Sequence, residues 1–367
     1  MNSYLDKIRP ENYQRAFFFK RLGYLLTDVC TSHYRKRDWL AIYNNEMLGS
    51  YIRNEAVAIT LKNGKEIFAS DKNFKIFETG FRKTITETGE YIENAKKLES
   101  VQVSDFYDLR AMVDKMYYFF EKTEFFFTDA CYESEMSYLL KKNLLILGDD
   151  LKMKSRPLFV EIITTCLYHL VDLAAQQTGT NAEDLKFYDV SEIIRLLETS
   201  KFVEPKVIQE RKKSFVIYCE HGRIIPIEGD EKTIVLERFK EPDHSSVSEF
   251  KGIVANKGNI TARARVILPE LNLPYETFVK KLYSMEMNEG EILITETTSP
   301  DFVPLMKKAG GIIANQGGLN SHAAIMSREL GVPCLVGTYH ATDIVKTGDL
   351  IELNADKGMV RILKRAE

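Results

Sequence analysis

The feature that most constrains the fold of this chain is a change of sequence pattern near residue 245. Before this point glycine is sparse, and apolar residues recur at the spacing of amphipathic helices, as in 107–127 and 158–175. Beyond it, short apolar runs typical of strands alternate with glycines, among them 264–268, 291–295, 311–314, 333–337 and 350–353. We therefore predict a multidomain α + α/β protein, with a mainly helical domain over residues 1–245 and a smaller domain of mixed strands and helices over 246–367.

One stretch of the helical half favours a different structure. Residues 56–68 contain two apolar runs on either side of Asn63 and Gly64. Because Asn-Gly supplies the two positive-φ positions of a type I′ turn, we predict a small β-hairpin near 56–68. Further along, Asp189 and Glu192 have the spacing of a capping box, which predicts a helix start.

Composition excludes several classes of protein. The 50 Lys and Arg residues nearly balance the 53 Asp and Glu residues, so no basic field attracts nucleic acid or an anionic membrane surface. The most apolar stretch, 157–175, is interrupted by Glu161 and Asp172, which favours a buried helix over a membrane span. The five cysteines are scattered and form no C-x-x-C pair, which favours reduced thiols over disulfides. The N-terminal residues do not have the pattern of a signal peptide. We expect a cytoplasmic protein that binds neither nucleic acid nor membrane.

The histidines outside one loop give no metal-binding pattern. His244, like His33 and His221, has no acidic or cysteine partner at a ligand spacing, and His340 is interpreted as a surface residue. His169 lies in an apolar helical stretch, which favours a hydrogen-bonded core histidine. We therefore predict no metal site in this chain.

The remaining histidine lies in a succession of strand, glycine loop and short helix. Residues 312–314 are apolar, a pair of glycines follows, and the helical stretch 321–330 ends at another glycine. Asn320 or Ser321 can cap this helix, which places His322 in its first turn.

The start of a helix can hold an anion, because its first N–H groups lack intrahelical partners and its dipole is positive there. This position is therefore suited to a histidine that is phosphorylated and passes its phosphoryl group on. The residues expected to bind the phosphoryl oxygens are Gly317, Gly318, Asn320, Ser321 and Ala323. By spacing alone, a histidine that only caps a glycine-rich turn is the commoner outcome, so the pattern leaves both interpretations open.

A longer run of motifs favours the chemical interpretation. Residues 290–360 resemble the mobile phosphohistidine (swivelling) domain of the family that contains phosphoenolpyruvate synthase, pyruvate phosphate dikinase and rifampin phosphotransferase. The matching segments are 290–294, 297–305, the core GGIIANQGGLNSHAAIMSRELGVPCLVGT, 348–351 and 357–360. Asn320, and Asn354 with Ala355, depart from the family pattern without removing the histidine.

This resemblance implies a β/β/α phosphohistidine swivelling domain in which His322 carries the phosphoryl group. In the resembled enzymes an ATP-grasp domain charges the histidine, and no segment of this sequence resembles one or carries a P-loop. The resemblance therefore implies an ATP-grasp partner protein that brings ATP and Mg, with no cofactor bound tightly by this chain. Residues 157–240 faintly resemble the helical substrate domain of rifampin phosphotransferase-like proteins, so we expect the helical domain to bind a small-molecule acceptor.

Three functions are compatible with these observations. The first is a phosphotransferase component in which phospho-His322 delivers its group to the acceptor, with the linker near 241–249 as the hinge. The second is a phosphohistidine carrier or regulatory protein without acceptor chemistry of its own. The third is a degenerate module that keeps only the fold, and the intact Gly-Gly-x-x-Ser-His step argues against it. We favour the first.

Overall fold

The computed structural model describes residues 4–20, 23–34, 39–123, 138–220, 223–240, 244, 246–268, 273, 275–319 and 321–366. The chain divides into two compact units. The first comprises Met1–Lys240 with Glu270–Tyr275, and the second comprises Glu241–Pro269 with Glu276–Glu367. The division along the main chain therefore falls a few residues before the boundary predicted at 245.

A five-stranded antiparallel sheet lies in the first unit. Its strands are β1 (Tyr13–Lys20), β2 (Trp39–Asn44), β3 (Met47–Arg53), β4 (Ser214–Glu220) and β5 (Arg223–Ile227), in the order β1-β3-β2-β4-β5. β2 and β3 form a hairpin whose turn residues, Asn45 and Glu46, have φ of 49° and 64°, as a type I′ turn requires. On its other side β2 pairs with β4, so two distant parts of the chain share one sheet.

Helices make up most of the first unit, as predicted. They are Tyr24–Tyr34, Asn54–Phe68, Asp71–Ala95, Val103–Phe120, Tyr138–Thr178, Ala182–Leu185, Val190–Thr199, Pro205–Lys213 and Gly229–Arg238. The predicted capping box is confirmed: the Glu192 amide donates to Asp189 Oδ1 at 2.8 Å, and the Asp189 amide donates to Glu192 Oε2 at 2.9 Å.

The helix Tyr138–Thr178 includes two π-helical segments, Ile146–Lys152 and Ile162–Cys166. Among the described residues it is the one helix long and apolar enough to cross a membrane by length and composition. However, 72% of its apolar window is buried inside the protein, as in the core helix of a globular fold. Its length and composition are therefore weak evidence for a membrane span.

The hairpin predicted near 56–68 is wrong, because this stretch forms the helix Asn54–Phe68. Its buried residues Thr60, Gly64 and Phe68 recur every four positions, and this helical period prevails over the Asn-Gly turn signal. Glycine inside a helix costs about 1 kcal/mol relative to alanine, and packing of the buried face offsets that cost. The first unit is thus mainly helical, and the strands of its sheet come from segments other than the predicted 56–68.

The second unit is built on an eight-stranded mixed sheet with the order β6-β13-β12-β8-β9-β10-β11-β7. Its strands are β6 (Glu249–Lys251), β7 (Ile253–Asn256), β8 (Asn259–Ile267), β9 (Ile292–Thr295), β10 (Gly311–Ala314), β11 (Cys334–Val336), β12 (Leu350–Asn354) and β13 (Met359–Lys364). Its helices are Tyr275–Ser284, Val303–Lys308, His322–Leu330 and Ala341–Ile344. The strands predicted from short apolar runs are confirmed, and β8 to β11 pair in parallel.

Candidate functional site

The site lies at the crossover between two parallel strands of the second unit. β10 and β11 run parallel, and the segment that joins them contains the loop residues 315–319 and the helix His322–Leu330. In a parallel crossover the helix begins near the carboxyl end of the strand that precedes it. Because His322 is the first residue of this helix, the topology places its imidazole at that edge of the sheet.

Ser321 is the residue that caps this helix. Its backbone is extended, and its side-chain oxygen accepts a hydrogen bond from the amide of Ala324 at 3.3 Å. Gly317 allows this arrangement, because its φ is +109° and a Cβ there would lie 2.6 Å from the Cβ of Ser321. Gly331 ends the helix at a φ of +68°, as the sequence predicted.

The backbone amides at the helix start have different partners. The Ser321 amide donates to the Gly318 carbonyl at 3.0 Å, and the Ile325 amide donates to the Ser321 carbonyl at 2.9 Å, which begins the helical ladder. The amides of His322 and Ala323 precede that first ladder bond. Amides in this position are those that meet an anion at a helix start.

Thr298 orients the imidazole. It follows β9, the strand beside β10, and its Oγ1 lies 3.0 Å from Nδ1 of His322. Thr298 is buried, whereas His322 is half-buried. A buried hydroxyl bonded to Nδ1 limits rotation of the ring and keeps the second ring nitrogen, Nε2, on the opposite side.

A buried polar network holds the start of the loop. The fully buried Asn315 donates from Nδ2 to Glu296 Oε2 and to Thr342 Oγ1, each at 2.6 Å, and its Oδ1 accepts from Thr338 Oγ1 at 3.2 Å. Gln316 donates to the other oxygen of Glu296 at 3.0 Å. Glu296 is only 1% exposed, so two side-chain amides satisfy a buried carboxylate. The network thereby determines the path of the chain as it leaves β10.

Two other side chains near the helix have structural roles. Arg328 donates to the carbonyl of Leu319 at 2.9 Å and to that of Ala255 at 3.3 Å, which ties the loop to the helix. Cys334, in β11, places its Sγ 3.9 Å from the carbonyl oxygen of Ala323. Burial raises the pKa of this thiol to about 12, so it stays protonated near pH 7 and is not a competing nucleophile.

The residues predicted for the site lie together, with one outside the described residues. Gly317, Gly318, Ser321 and Ala323 lie in the loop and first helical turn beside His322. Asn320, the fifth predicted phosphate-binding residue, falls outside the part of the chain that the structure describes.

Sequence reasoning missed Thr298 and Glu296. Both lie just after β9, while His322 and Asn315 follow β10. Polar residues at the ends of two predicted adjacent strands are a signal that could have found them, because the carboxyl ends of parallel strands meet at one edge of the sheet.

Three other histidines have described side chains, and they divide into two cases; the side chain of His33 and the whole of His221 lie outside the described residues. His169 is bonded as predicted, with Nε2 2.9 Å from the carbonyl oxygen of Leu98. Contrary to the expectation of no metal-binding pattern, His244, His340 and Asp343 each place a ligand atom within 4.8 Å of the other two. This grouping has no sequence signal, because His244 and His340 lie far apart along the chain.

Comparison with known proteins defines the class of domain to which this site belongs. Residues 287–358 match the family model described as PEP-utilising enzyme, mobile domain. This stretch of the chain is therefore a mobile domain of that family. His322, Thr298 and Asn315 all lie within the matched residues.

The particular proteins that the chain resembles are phosphoenolpyruvate synthases. It is 34% identical over 185 residues to a protein named probable phosphoenolpyruvate synthase from Archaeoglobus fulgidus, across 48% of this chain and 23% of that protein. A protein of the same name from Staphylothermus marinus is 51% identical over 77 residues, across 21% of this chain and 9% of that protein. The matches thus span less than a quarter of the length of these relatives.

Among solved structures, one of Enzyme I aligns with 78% of this chain and 80% of its own at 15% identity. Its TM-score is 0.22, so the superposition is too loose to carry an argument about fold or function.

Proposed function

We propose that this protein is the histidine-bearing component of an ATP-dependent phosphotransferase, and that His322 is transiently phosphorylated. One observation carries the proposal: within a mobile domain of the PEP-utilising family, His322 begins a helix and its Nδ1 contacts the buried hydroxyl of Thr298. This arrangement combines an oriented nucleophile with a helix start suited to an anion.

The chemistry of the proposed step follows from this geometry. In the proposed tautomer Nδ1 carries the ring proton and donates it to the Thr298 hydroxyl oxygen, so Nε2 holds the lone pair and is the nitrogen that attacks the phosphoryl donor. The phosphoryl oxygens then meet backbone amides of the first turn and the glycine loop, with Gly317, Gly318, Asn320, Ser321 and Ala323 as the proposed phosphate-binding residues. In this scheme Ser321 acts mainly through its cap, and the Ala323 amide in the first helical turn is one of the proposed donors.

We propose that the phosphate donor is ATP with Mg, held by an ATP-grasp partner protein, and that this chain binds no cofactor tightly. The short matches support a second module, because more than three quarters of each archaeal relative lies outside the aligned region. In this charging step Nε2 of His322 would attack the β-phosphorus of ATP, which breaks the α–β bond and releases AMP. Water would then cleave the β–γ bond, so that inorganic phosphate leaves and one phosphoryl group stays on His322.

We propose that the first unit binds a small-molecule acceptor. The support for this proposal is the faint resemblance of residues 157–240 to the helical substrate domain of rifampin phosphotransferase-like proteins. The acceptor is neither nucleic acid nor membrane in this proposal, and the reaction is placed in the cytoplasm.

A phosphohistidine carrier without acceptor chemistry is the second candidate function. The observation that favours it is that His322, Thr298 and Asn315 all belong to the second unit. On this alternative the first unit serves in regulation or docking rather than in acceptor binding.

Labelling of His322 tests the common step of both candidates. The protein is incubated with β-labelled ATP, Mg and a candidate ATP-grasp partner, and the expected result is label that is acid-labile and base-stable. His322→Ala should take up none. His169→Gln is the matched control, because it removes a histidine from the first unit and leaves a donor for the Leu98 carbonyl. Equal labelling of His322→Ala and wild type would refute the proposal.

Discharge of the labelled protein separates the two candidates. Small hydroxyl, carboxyl and amide compounds are screened for AMP formation that requires both the acceptor and His322. Turnover with any of them supports the phosphotransferase. A protein that charges fully and transfers its label only to another protein is instead a carrier.

A further inference from the structure

Three ligand-type side chains meet in the second unit, and the proposed phosphotransfer does not use them. His244, His340 and Asp343 are half-buried, and each has a ligand atom within 4.8 Å of the other two. The imidazole rings have centroids 5.1 Å apart. We propose that these three residues form a binding site for one zinc-like divalent cation.

One pair of the ligand atoms has the spacing of two ligands of a tetrahedral ion. Nδ1 of His340 and Oδ2 of Asp343 are 3.4 Å apart, beyond the roughly 2.7–3.2 Å of a good N–H···O hydrogen bond. Two ligands at about 2.1 Å from zinc and at the tetrahedral angle lie about 3.4 Å from each other. The pair is thus spaced as two ligands of one ion, and a ring nitrogen of His244 lies within 4.8 Å of both atoms.

The local chain explains why two of the ligands face the same point. His340 precedes the short helix Ala341–Ile344, and the amide of Asp343 donates to the carbonyl of His340 at 3.0 Å. Residues three positions apart in such a turn project to the same side. Their joint orientation therefore comes from the backbone and does not depend on a bound ion.

His244 supplies an independent observation. Its Nε2 is buried, and within the described part of the chain this atom has no hydrogen-bond partner. A buried ring nitrogen without a partner is unfavourable, and buried polar groups of this kind call for a specific explanation. Coordination of the ring to a cation provides a strong interaction that offsets its burial.

The ligand types select the class of metal. Two imidazoles and one carboxylate favour zinc, and also cobalt, nickel and copper, over magnesium and calcium, which prefer oxygen ligands. Three protein ligands leave a fourth position for water. The ligands of this site therefore differ from the oxygen ligands that would hold the Mg accompanying ATP.

An ion in this site would cross-link His244 to the turn that follows β11. His244 lies near the start of the second unit. The same turn supports the loop that leads to His322. The amide of Thr342 donates to Asn315 Oδ1 at 3.3 Å, and the amide of Tyr339 donates to the Asn315 carbonyl at 3.0 Å. Zinc binding should thus stabilise the second unit as a whole.

Metal binding to the full chain tests the site. We expect protein freed of metal by a chelator to bind one equivalent of Zn²⁺ in isothermal titration calorimetry, and Co²⁺ to give the visible absorption of a tetrahedral complex. Mg²⁺ should not compete. His244→Ala and Asp343→Asn should each weaken Zn²⁺ binding by at least about 100-fold, the upper end of the loss seen when outer residues of a metal site are removed. Zn²⁺ should raise the Tm of wild type and of neither variant.

His322→Ala is the matched control, because it removes a half-buried histidine of the same unit from outside the group, and it should bind Zn²⁺ as tightly as wild type. Circular dichroism without metal checks the fold of each variant, and the near-isosteric Asp343→Asn decides the question if His244→Ala does not fold. Absence of saturable Zn²⁺ binding, or wild-type affinity in the folded variants, would overturn the site. Since no step of this test involves phosphotransfer, its outcome is independent of the role of His322.

Discussion

The two units are built around cores of different chemistry. In the first, aromatic rings from several helices pack on one another: Phe81 stacks on Phe119 with centroids 5.4 Å apart, and Phe120 stacks on Phe159 at 4.6 Å. In the second, the buried residues of the cluster that includes Ile313 are all Ala, Ile, Leu or Val. The first core therefore contains packed aromatic rings beside its aliphatic residues, whereas this cluster of the second unit is wholly aliphatic.

This difference implies that packed rings in the first unit contribute mainly to stability, whereas turns in the second unit determine the geometry of the proposed phosphorylation site. Each aromatic ring buries a large area, so a few rings contribute much of the stabilisation of the first unit. The second unit uses short strands, and its site depends on the backbone of the turns that join them. Truncating a core ring should therefore reduce stability, while altering one turn should reduce phosphorylation.

The largest effect is expected from Phe81→Ala. Phe81 is fully buried against Phe77 and Phe119, so the cavity should cost about 3–5 kcal/mol in the free energy of unfolding, measured in urea. Tyr107→Ala is the aromatic control, since Tyr107 is 57% exposed and its loss should change stability by about 0.5 kcal/mol or less. Similar losses in both variants would show that the aromatic core is not what stabilises the first unit.

Among single substitutions in the turns, Gly317→Ala should reduce the rate of His322 labelling most. A side chain at a φ of +109° costs about 1–3 kcal/mol, and the added Cβ also collides with Ser321, which caps the helix of His322. Labelling of His322 should slow by at least about tenfold, since a 1.4 kcal/mol rise in the barrier gives that factor.

Gly331→Ala provides the matched control for this turn. Its φ is also positive, +68°, but a Cβ there meets nothing within 4 Å. It should lower stability by about 1 kcal/mol and leave the labelling rate unchanged. If Gly331→Ala slowed labelling as much as Gly317→Ala, the effect would be general destabilisation rather than distortion of the site.

Thr298→Val should give a smaller effect confined to the chemistry. It keeps the shape of the side chain and removes the hydroxyl that contacts His322 Nδ1, so labelling should slow by about tenfold while stability changes by about 1 kcal/mol or less. Thr298→Ser should restore the wild-type rate because it restores the hydroxyl. Failure of the serine variant to recover would contradict a positioning role for this hydroxyl.

The smallest effect concerns acid stability of the second unit. Burial opposes ionisation of Asp349, but amides of Lys346 and Ala366 and the Arg365 guanidinium outweigh it and lower the pKa of this carboxyl. A folded-state pKa below the unfolded value of about 3.9 means that this stabilisation is present above pH 4 and is lost as the pH falls through the folded pKa. Unfolding free energies between pH 7 and pH 3 should therefore decline more for wild type than for Asp349→Asn. Parallel curves would exclude this contribution.

The helices and strands of the second unit could be predicted because the residues that determine them lie close to them in sequence. The helix His322–Leu330 begins at a serine cap and ends at a left-handed glycine, and both signals lie within a few residues of the backbone they control. The strands around it are short apolar runs bounded by glycines, so their positions followed from the same local reasoning. The prediction of the capping box at Asp189, in the first unit, was confirmed for the same reason.

The errors and omissions concern contacts between distant residues. Asn63 and Gly64 have the sequence of a hairpin turn, yet the packing of Gly64 and Phe68 against a helical core overrides that preference. The real hairpin turns at Asn45 and Glu46, and its strand β2 is completed by β4 from far along the chain. Pairing of this kind leaves no short-range pattern in either strand.

Caps, turns and apolar periodicity act over a few residues, so they were enough to predict a histidine at the start of a helix that follows a strand and a glycine loop. The family came from the resemblance of a longer segment. Which side chains meet that helix, and which meet each other, depends on the tertiary structure. It brings Thr298 to His322 through the pairing of β9 with β10, and it brings His244 to His340 and Asp343. The physical reason is that hydrogen-bond register and side-chain packing join segments whose sequences carry no information about one another.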